Sequence, residues 1–148
     1  MKILITGANG FVGRNLCAAL TEIKSGHDKR GDHVLCADPA DILLYPYDLN
    51  NTPEELDAWC TDCDFVFNLA GVNRPEDPAD FMAGNFGFAS TLLNTLKKHS
   101  NTCPVMLSSS IQASLTGRYA GSPYGESKKA GEDLFFAYGR ETGANVLV

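Results

Sequence analysis

KILITGANGFVG, residues 2–13, joins a short apolar run to three glycines spaced G-x-x-G-x-x-G. Lys2 to Thr6 reads as a buried parallel strand that Gly7 stops. From Phe11 to about Ile23, the apolar residues Val12, Leu16, Ala19, Leu20 and Ile23 recur at helical spacing. A strand, a glycine turn and a helix in this order form an anion site. Backbone N–H groups and the positive end of the helix face the ligand. Gly7, Gly10 and Gly13 allow the tight turn, the close approach of backbone to a pyrophosphate and the close packing of helix on strand. The spacing differs from the ordinary G-x-G-x-x-G fingerprint, and the flanking strand and helix give the motif its weight.

Outward from this stretch the alternation continues. Val34–Ala37 reads as a second strand, Leu43–Tyr47 as a weaker third, and PEELDAWC as a short helix opened by proline. DFVFNLAG is the clearest internal strand, Pro78–His99 a long helix containing Gly84 and Gly87, and PVMLSSS the next strand. Pro123 to about Glu141 is a further helix, and NVLV begins a strand. Repeated βαβ units predict a Rossmann-type α/β domain: a doubly wound parallel sheet in three α/β/α layers. The chain of 148 residues is expected to be one domain, a fragment cut at about the sixth strand and lacking a C-terminal substrate-binding part.

Composition narrows the function. A net charge of −6 argues against electrostatic attraction to nucleic acid or anionic membrane. No apolar run reaches the roughly 18 to 20 residues needed to cross a bilayer, and the start lacks a secretory signal, so the expected compartment is the cytoplasm. Five cysteines without a spaced framework agree with reduced thiols. Cys60-Thr61-Asp62-Cys63 is a C-x-x-C, but it closes a helix before a strand, where a thioredoxin-like pair opens one after a strand. No second pair exists and His27, His33 and His99 are scattered, so no metal site is expected.

Asp38 is the acidic residue expected at the end of the second strand, where a carboxylate accepts hydrogen bonds from ribose hydroxyls and repels a 2′-phosphate. Arg14, just past the third glycine, is a counterweight that could reach such a phosphate. The cofactor is therefore read as NAD(P)(H), with local chemistry on the side of NAD(H).

LSSSIQASLTGRYAGSPYGESKKAGE, residues 107–132, places three serines ahead of a Tyr-x-x-x-Lys. Tyr124 and Lys128 share a helix face, and an ammonium beside a phenol stabilises its phenolate, making a usable acid or base. A serine at the strand end can hydrogen-bond a carbonyl and stabilise a developing alkoxide. In an open parallel sheet these strand-end serines and the glycine loop share one crevice. Asn73-Arg74-Pro75 follows the fourth strand on the same side, where Arg74 could pair with a phosphate.

TGANGFVG, NLAG at residues 68–71, Asn85, YDL with Asp48 near the expected adenine contact, and YGESK together resemble the extended short-chain dehydrogenase/reductase superfamily, along the whole chain. More narrowly, LAGVNRPE, LSSSIQAS and PYGESKKAGE are similar to the N-terminal reductase domain of a bacterial capsular-polysaccharide enzyme family on the UDP-N-acetyl-L-fucosamine pathway. The resemblance implies NADPH-dependent reduction of a UDP-linked 4-keto-6-deoxy-N-acetylhexosamine, a following cupin domain absent here, and homodimers paired through the two long helices. It implies cofactor contacts at Gly7, Asn9, Gly10, Phe11, Val12, Gly13, Asp38, Asp48, Leu49, Leu69, Ala70 and Gly71. Ser110 aligns with the catalytic serine, Tyr124 with the proton donor, and Lys128 with the residue binding the nicotinamide ribose. Ser109 is the alternative to Ser110, and Asn73, Arg74 and Ser109 are candidate substrate contacts. Dehydratase relatives carry an Asp-Glu pair where this chain has Ile111 and Gln112, which excludes dehydration. A 4-epimerase and a non-catalytic NAD(P)-binding sensor remain the alternatives.

Overall fold

The computed structural model describes residues 1–27, 38–72, 75–117 and 120–148. Among the described residues, five parallel strands form one sheet in the order β2-β1-β3-β4-β5: β1 Lys2–Thr6, β2 Leu43–Tyr47, β3 Phe65–Asn68, β4 Val105–Leu107 and β5 Val146–Leu147. Alternation along β1 divides the core. Ile3 and Ile5 pack with Leu20 of α1 (Phe11–Lys24) on one face. Leu4 faces the opposite layer with α2 (Pro53–Cys60), α4 (Phe88–Lys98) and α5 (Pro123–Thr142), where Leu56, Leu92, Leu96 and Phe135 are buried. This is the three-layer arrangement expected of a doubly wound sheet.

Local signals account for the helix ends. Thr52 and Glu55 form a reciprocal capping box at α2, with Pro53 in the first turn. Ser122 Oγ accepts the Gly125 N–H at 2.9 Å to open α5, and Gly143 closes it in the left-handed conformation at φ 77°.

Two expectations change. The long helix over Pro78–His99 is broken into α3 (Ala79–Phe81), a π turn over Met82–Gly87, and α4. Gly84 and Gly87 weaken the α pitch there, and the buried Asn85 side chain bonds both the N–H (2.9 Å) and the carbonyl (3.0 Å) of Val72. Leu43–Tyr47, read as a weak third strand, is a strand as expected, hydrogen-bonded to β1 from Lys2↔Leu43 to Thr6↔Tyr47. The strand expected over Val34–Ala37 lies outside the described residues.

Asp38 is the second correction. It caps a 3₁₀ turn over Pro39–Asp41, accepting from Ala40 N at 2.9 Å, and precedes β2. The segment after it is anchored at the start of β1, through Leu43 N to Met1 O (2.9 Å) and the Met1 amine to Asp41 O (3.0 Å). Asp38 therefore enters the sheet from its amino end, opposite the glycine turn. The acidic residue at the carboxyl end of the strand beside β1 is Asp48.

Candidate functional site

The carboxyl ends of three strands are tied together before any ligand is considered. Thr6 Oγ1 donates to Asn68 Oδ1 at 2.6 Å and accepts from Ala70 N at 3.3 Å. Leu69 N donates to Thr6 O at 3.2 Å, and Ser108 N to Asn68 O at 3.0 Å. Thr6 and Asn68 are buried, and bonding one another satisfies groups that would otherwise be costly in a dry interior.

Above this floor lies a cleft of about 420 Å³. Its lining includes Gly7, Gly10, Asp48, Leu49, Leu69, Ala70 and Gly71, seven of the residues expected at the cofactor. Tyr47, Asn51, Val72, Gly84 and Phe88 complete it and were not singled out in the sequence. Tyr47 opens YDL, and Asn51 and Val72 lie beside YDL and NLAG, whereas Gly84 and Phe88 come from the distant π turn and α4 and carried no such signal.

The glycine turn is built to closest packing. Gly7 has φ +70°, and a Cβ there would lie 2.7 Å from Ala70 N; one on Gly13 would lie 2.2 Å from Gly7 O. The first N–H groups of α1 have no side-chain cap, because position Gly10 carries none. They face outward with Asn9, Phe11 and Val12, which are exposed, Phe11 by 79%. A cradle that one methyl would fill, beside uncapped helix N–H groups, fits a pyrophosphate.

Asp48 closes the opposite wall. Its Oδ2 accepts from Asn9 N at 2.7 Å and its Oδ1 from Leu49 N at 2.8 Å, so the carboxylate is held against the glycine turn by two backbone donors. This position, at the strand end beside the glycine turn, is where a ribose hydroxyl meets its acceptor in folds of this kind.

The other end of the cleft meets Lys128 and Tyr124, the residues expected to carry acid-base chemistry. Lys128 is buried, and its Nζ donates to Ser108 O at 3.1 Å. A Cβ on Gly71 would lie 3.1 Å from that Nζ, which places the ammonium at the cleft wall. Burial pulls the Lys128 pKa below the usual lysine value. The Nζ stands 5.8 Å from the Tyr124 ring centroid, and Phe81 packs its ring against Tyr124 at 5.6 Å between centroids. Neighbouring Ser127 accepts from Asn85 Nδ2 at 2.9 Å, fastening α5 to the π turn.

The three serines separate by environment. Ser108 offers its carbonyl to Lys128. Ser109 Oγ donates to Glu132 Oε1 at 2.6 Å, so its hydroxyl is engaged on α5. Ser110 Oγ accepts only a long 3.3 Å bond from Gln112 N, at the head of a 3₁₀ turn over Ile111–Ser114. That turn lies against the start of α5, where Ser122 Oγ donates to Gln112 Oε1 at 3.0 Å. Asn73 and Arg74 lie outside the described residues. Among the described residues no group of three or more metal-ligating side chains occurs, and no helix is long and apolar enough to cross a membrane.

The family model for the NAD dependent epimerase/dehydratase family matches residues 3–148. All 148 residues align at 36% identity with the UDP-2-acetamido-2,6-beta-L-arabino-hexul-4-ose reductase of Pseudomonas aeruginosa strain ATCC 29260, covering 34% of it. Among solved structures, the capsular polysaccharide assembling protein CapF from Staphylococcus aureus superposes with a TM-score of 0.71 at 37% identity, over 99% of this chain and 34% of that one. A short-chain dehydrogenase/reductase superfamily protein from Agrobacterium tumefaciens, solved with NAD, shares the fold: TM-score 0.74 at 20% identity, over 99% of this chain and 47% of that one. The chain thus spans about a third of the length of the first two relatives.

Proposed function

Because the chain belongs to the NAD dependent epimerase/dehydratase family, we propose that it is the cofactor-binding and proton-transfer part of a nucleotide-sugar reductase. The substrate we assign is a UDP-linked 4-keto-6-deoxy-N-acetylhexosamine, used in building capsular or surface polysaccharide in the cytoplasm. Similarity to a reductase of a UDP-linked hexul-4-ose supports that class. The observation that carries the reading is Lys128, buried at the cleft wall between Gly71 and the strand-end serines, one helical turn from Tyr124.

In this reading NAD(P)H, when bound, supplies hydride to the C4 carbonyl. Ser110, the serine with the least engaged hydroxyl, donates a hydrogen bond to the carbonyl oxygen and orients it. Tyr124 delivers its phenolic proton to the alkoxide that develops, and the Lys128 ammonium stabilises the phenolate left behind. Lys128 also offers a donor to the ribose hydroxyls at the end of the cleft. Ile111 and Gln112 offer no acid-base pair for expelling a hydroxyl; Ile111 is apolar, and the Gln112 amide is engaged with Ser122. The relatives are about three times as long, so the chain by itself should bind cofactor and show little turnover. Net consumption of NAD(P)H with a UDP-4-keto sugar, in a polypeptide of the relatives' length, tests the assignment. Interconversion of 4-epimers without net consumption would make it a 4-epimerase instead, and binding without either reaction a sensor.

Asp48 sets the cofactor preference in this proposal. A carboxylate facing the adenosine ribose accepts its hydroxyls, whereas against a 2′-phosphate two like charges about 4 Å apart cost roughly 1 to 4 kcal/mol. Calorimetric titration of the chain is expected to show NADH binding roughly tenfold or more tighter than NADPH. Asp48→Asn should narrow the gap. Equal or tighter NADPH binding by the unaltered chain would remove Asp48 as the selector.

Homodimerisation through α4 and α5 belongs to the same proposal, since Phe136 on α5 and Phe86 in the π turn are exposed apolar groups beside those helices. Light scattering that finds only monomer would count against it.

A further inference from the structure

The C-x-x-C over residues 60–63 is left over by this function, and the structure separates its two cysteines. Cys60 is fully buried at the end of α2, with its thiol pushed up to about 12 by burial. Cys63, on the loop leading into β3, has a different neighbour: its sulfur lies 3.8 Å from that of Cys103, on the loop leading into β4. One side chain holds both loops. Asn101 Nδ2 donates to Cys60 O at 3.0 Å and to Cys63 O at 2.9 Å, while its Oδ1 accepts from Cys103 N at 3.0 Å. The Tyr138 hydroxyl fixes Asn101 in turn, donating to its carbonyl at 3.0 Å.

We propose that Cys63 and Cys103 are a reversible disulfide site at the amino end of the sheet, closed by a low-molecular-weight disulfide such as oxidised glutathione. The two thiols are already in contact, and the closed bond needs the sulfurs to approach to about 2 Å by side-chain rotation on two loop residues. Cys103 is the more exposed of the pair and borders a shallow polar recess lined by Thr61, Asp62, His99, Ser100 and Thr102, which admits the oxidant. Cys63 is only 3% exposed, and its contact with Cys103 together with burial keeps its thiol protonated, so it enters second.

The steps balance. The Cys103 thiolate attacks one sulfur of the oxidised reagent, forming a mixed disulfide and releasing one thiolate. Cys63 then gives up its proton and attacks the Cys103 sulfur, forming the protein disulfide and expelling the second thiolate. The protein loses two hydrogens and the reagent becomes two thiols. In a reducing glutathione pool the pair stays open, and it closes as the oxidised fraction rises.

The test uses the chain as it stands, incubated with oxidised glutathione. Thiol counting after unfolding should fall from five to three, with a mass lower by two hydrogens and a peptide map joining the segments around Cys63 and Cys103. The closed chain should melt at a higher temperature, reversibly on reduction, because the bond ties together two points 40 residues apart in the unfolded chain. NADH titration should be unchanged, since the cleft lies at the carboxyl ends of the strands, and so it reports on the cofactor reading independently. Cys60→Ser should keep the bond and Cys103→Ser should lose it. Five titratable thiols after oxidation, a Cys60–Cys63 bond, or a mixed disulfide that stops at Cys103 would each overturn the proposal.

Discussion

Tyr124→Phe, made in a polypeptide of the relatives' length, is expected to lower turnover by about 10²- to 10⁴-fold while leaving NADH affinity within a factor of about two. The substitution removes one oxygen. The ring still packs edge-on against Phe81, and Lys128 still reaches Ser108 O, so neither the start of α5 nor the cleft wall has reason to move. What disappears is the proton source that the proposed mechanism assigns to the alkoxide. A fall in kcat with unchanged cofactor binding marks a group that acts in the transition state. Turnover within a factor of three of the unaltered enzyme would assign the proton to another group and remove Tyr124 from the mechanism.

Gly13→Ala should abolish measurable cofactor binding by the chain itself, a loss of about 100-fold or more. Its Cβ would lie 2.2 Å from Gly7 O and 2.7 Å from Ala8 Cα. Both are backbone atoms of the turn, so no side chain can yield, and relief requires moving α1 away from β1 or opening the turn that cradles the phosphates. Some stability goes with it, about 1 to 3 kcal/mol for a clash of this kind. Circular dichroism and a thermal melt should show a folded but less stable chain, while Thr21→Ala on the exposed side of α1 should bind normally. Unchanged NADH affinity in Gly13→Ala would mean that the cofactor does not rest on this turn.

The part of this site that sequence reveals is the part made by neighbours in the chain. KILITGANGFVG carries strand, turn and helix within thirteen residues from the start, and the structure places β1 and α1 as the pattern implies. Tyr124 and Lys128 meet because helical spacing puts them on one face. Asp48 was harder to rank. Two segments, Val34–Ala37 and Leu43–Tyr47, each precede an aspartate, and intrinsic preference favours the first because the second contains Pro46. Pairing with β1 is a tertiary choice, and Pro46 is tolerated where β2 ends the sheet among the described residues.

Contacts between distant segments were not legible at all. Ser109 is bound to Glu132, 23 positions later, only because α5 docks across the end of β4, and this leaves Ser110 as the less engaged hydroxyl. Cys63 lies beside Cys103 rather than Cys60 because β3 and β4 are paired, with Val66 opposite Val105. The spacing of C-x-x-C carries no trace of that.

The π turn over Met82–Gly87 makes this segment sensitive to its length as well as to Asn85 and Gly84. Loss of one codon here would let the helix return to α pitch and remove the bulge, leaving the phase of the helix before it nearly unchanged relative to α4. Phe81 would keep its side of the helix, but the bulge from which Asn85 bonds both Val72 and Ser127 would be gone. A gene encoding this domain is therefore held to its reading length across the segment by the fastening of the turn to α5, the helix that carries Tyr124 and Lys128.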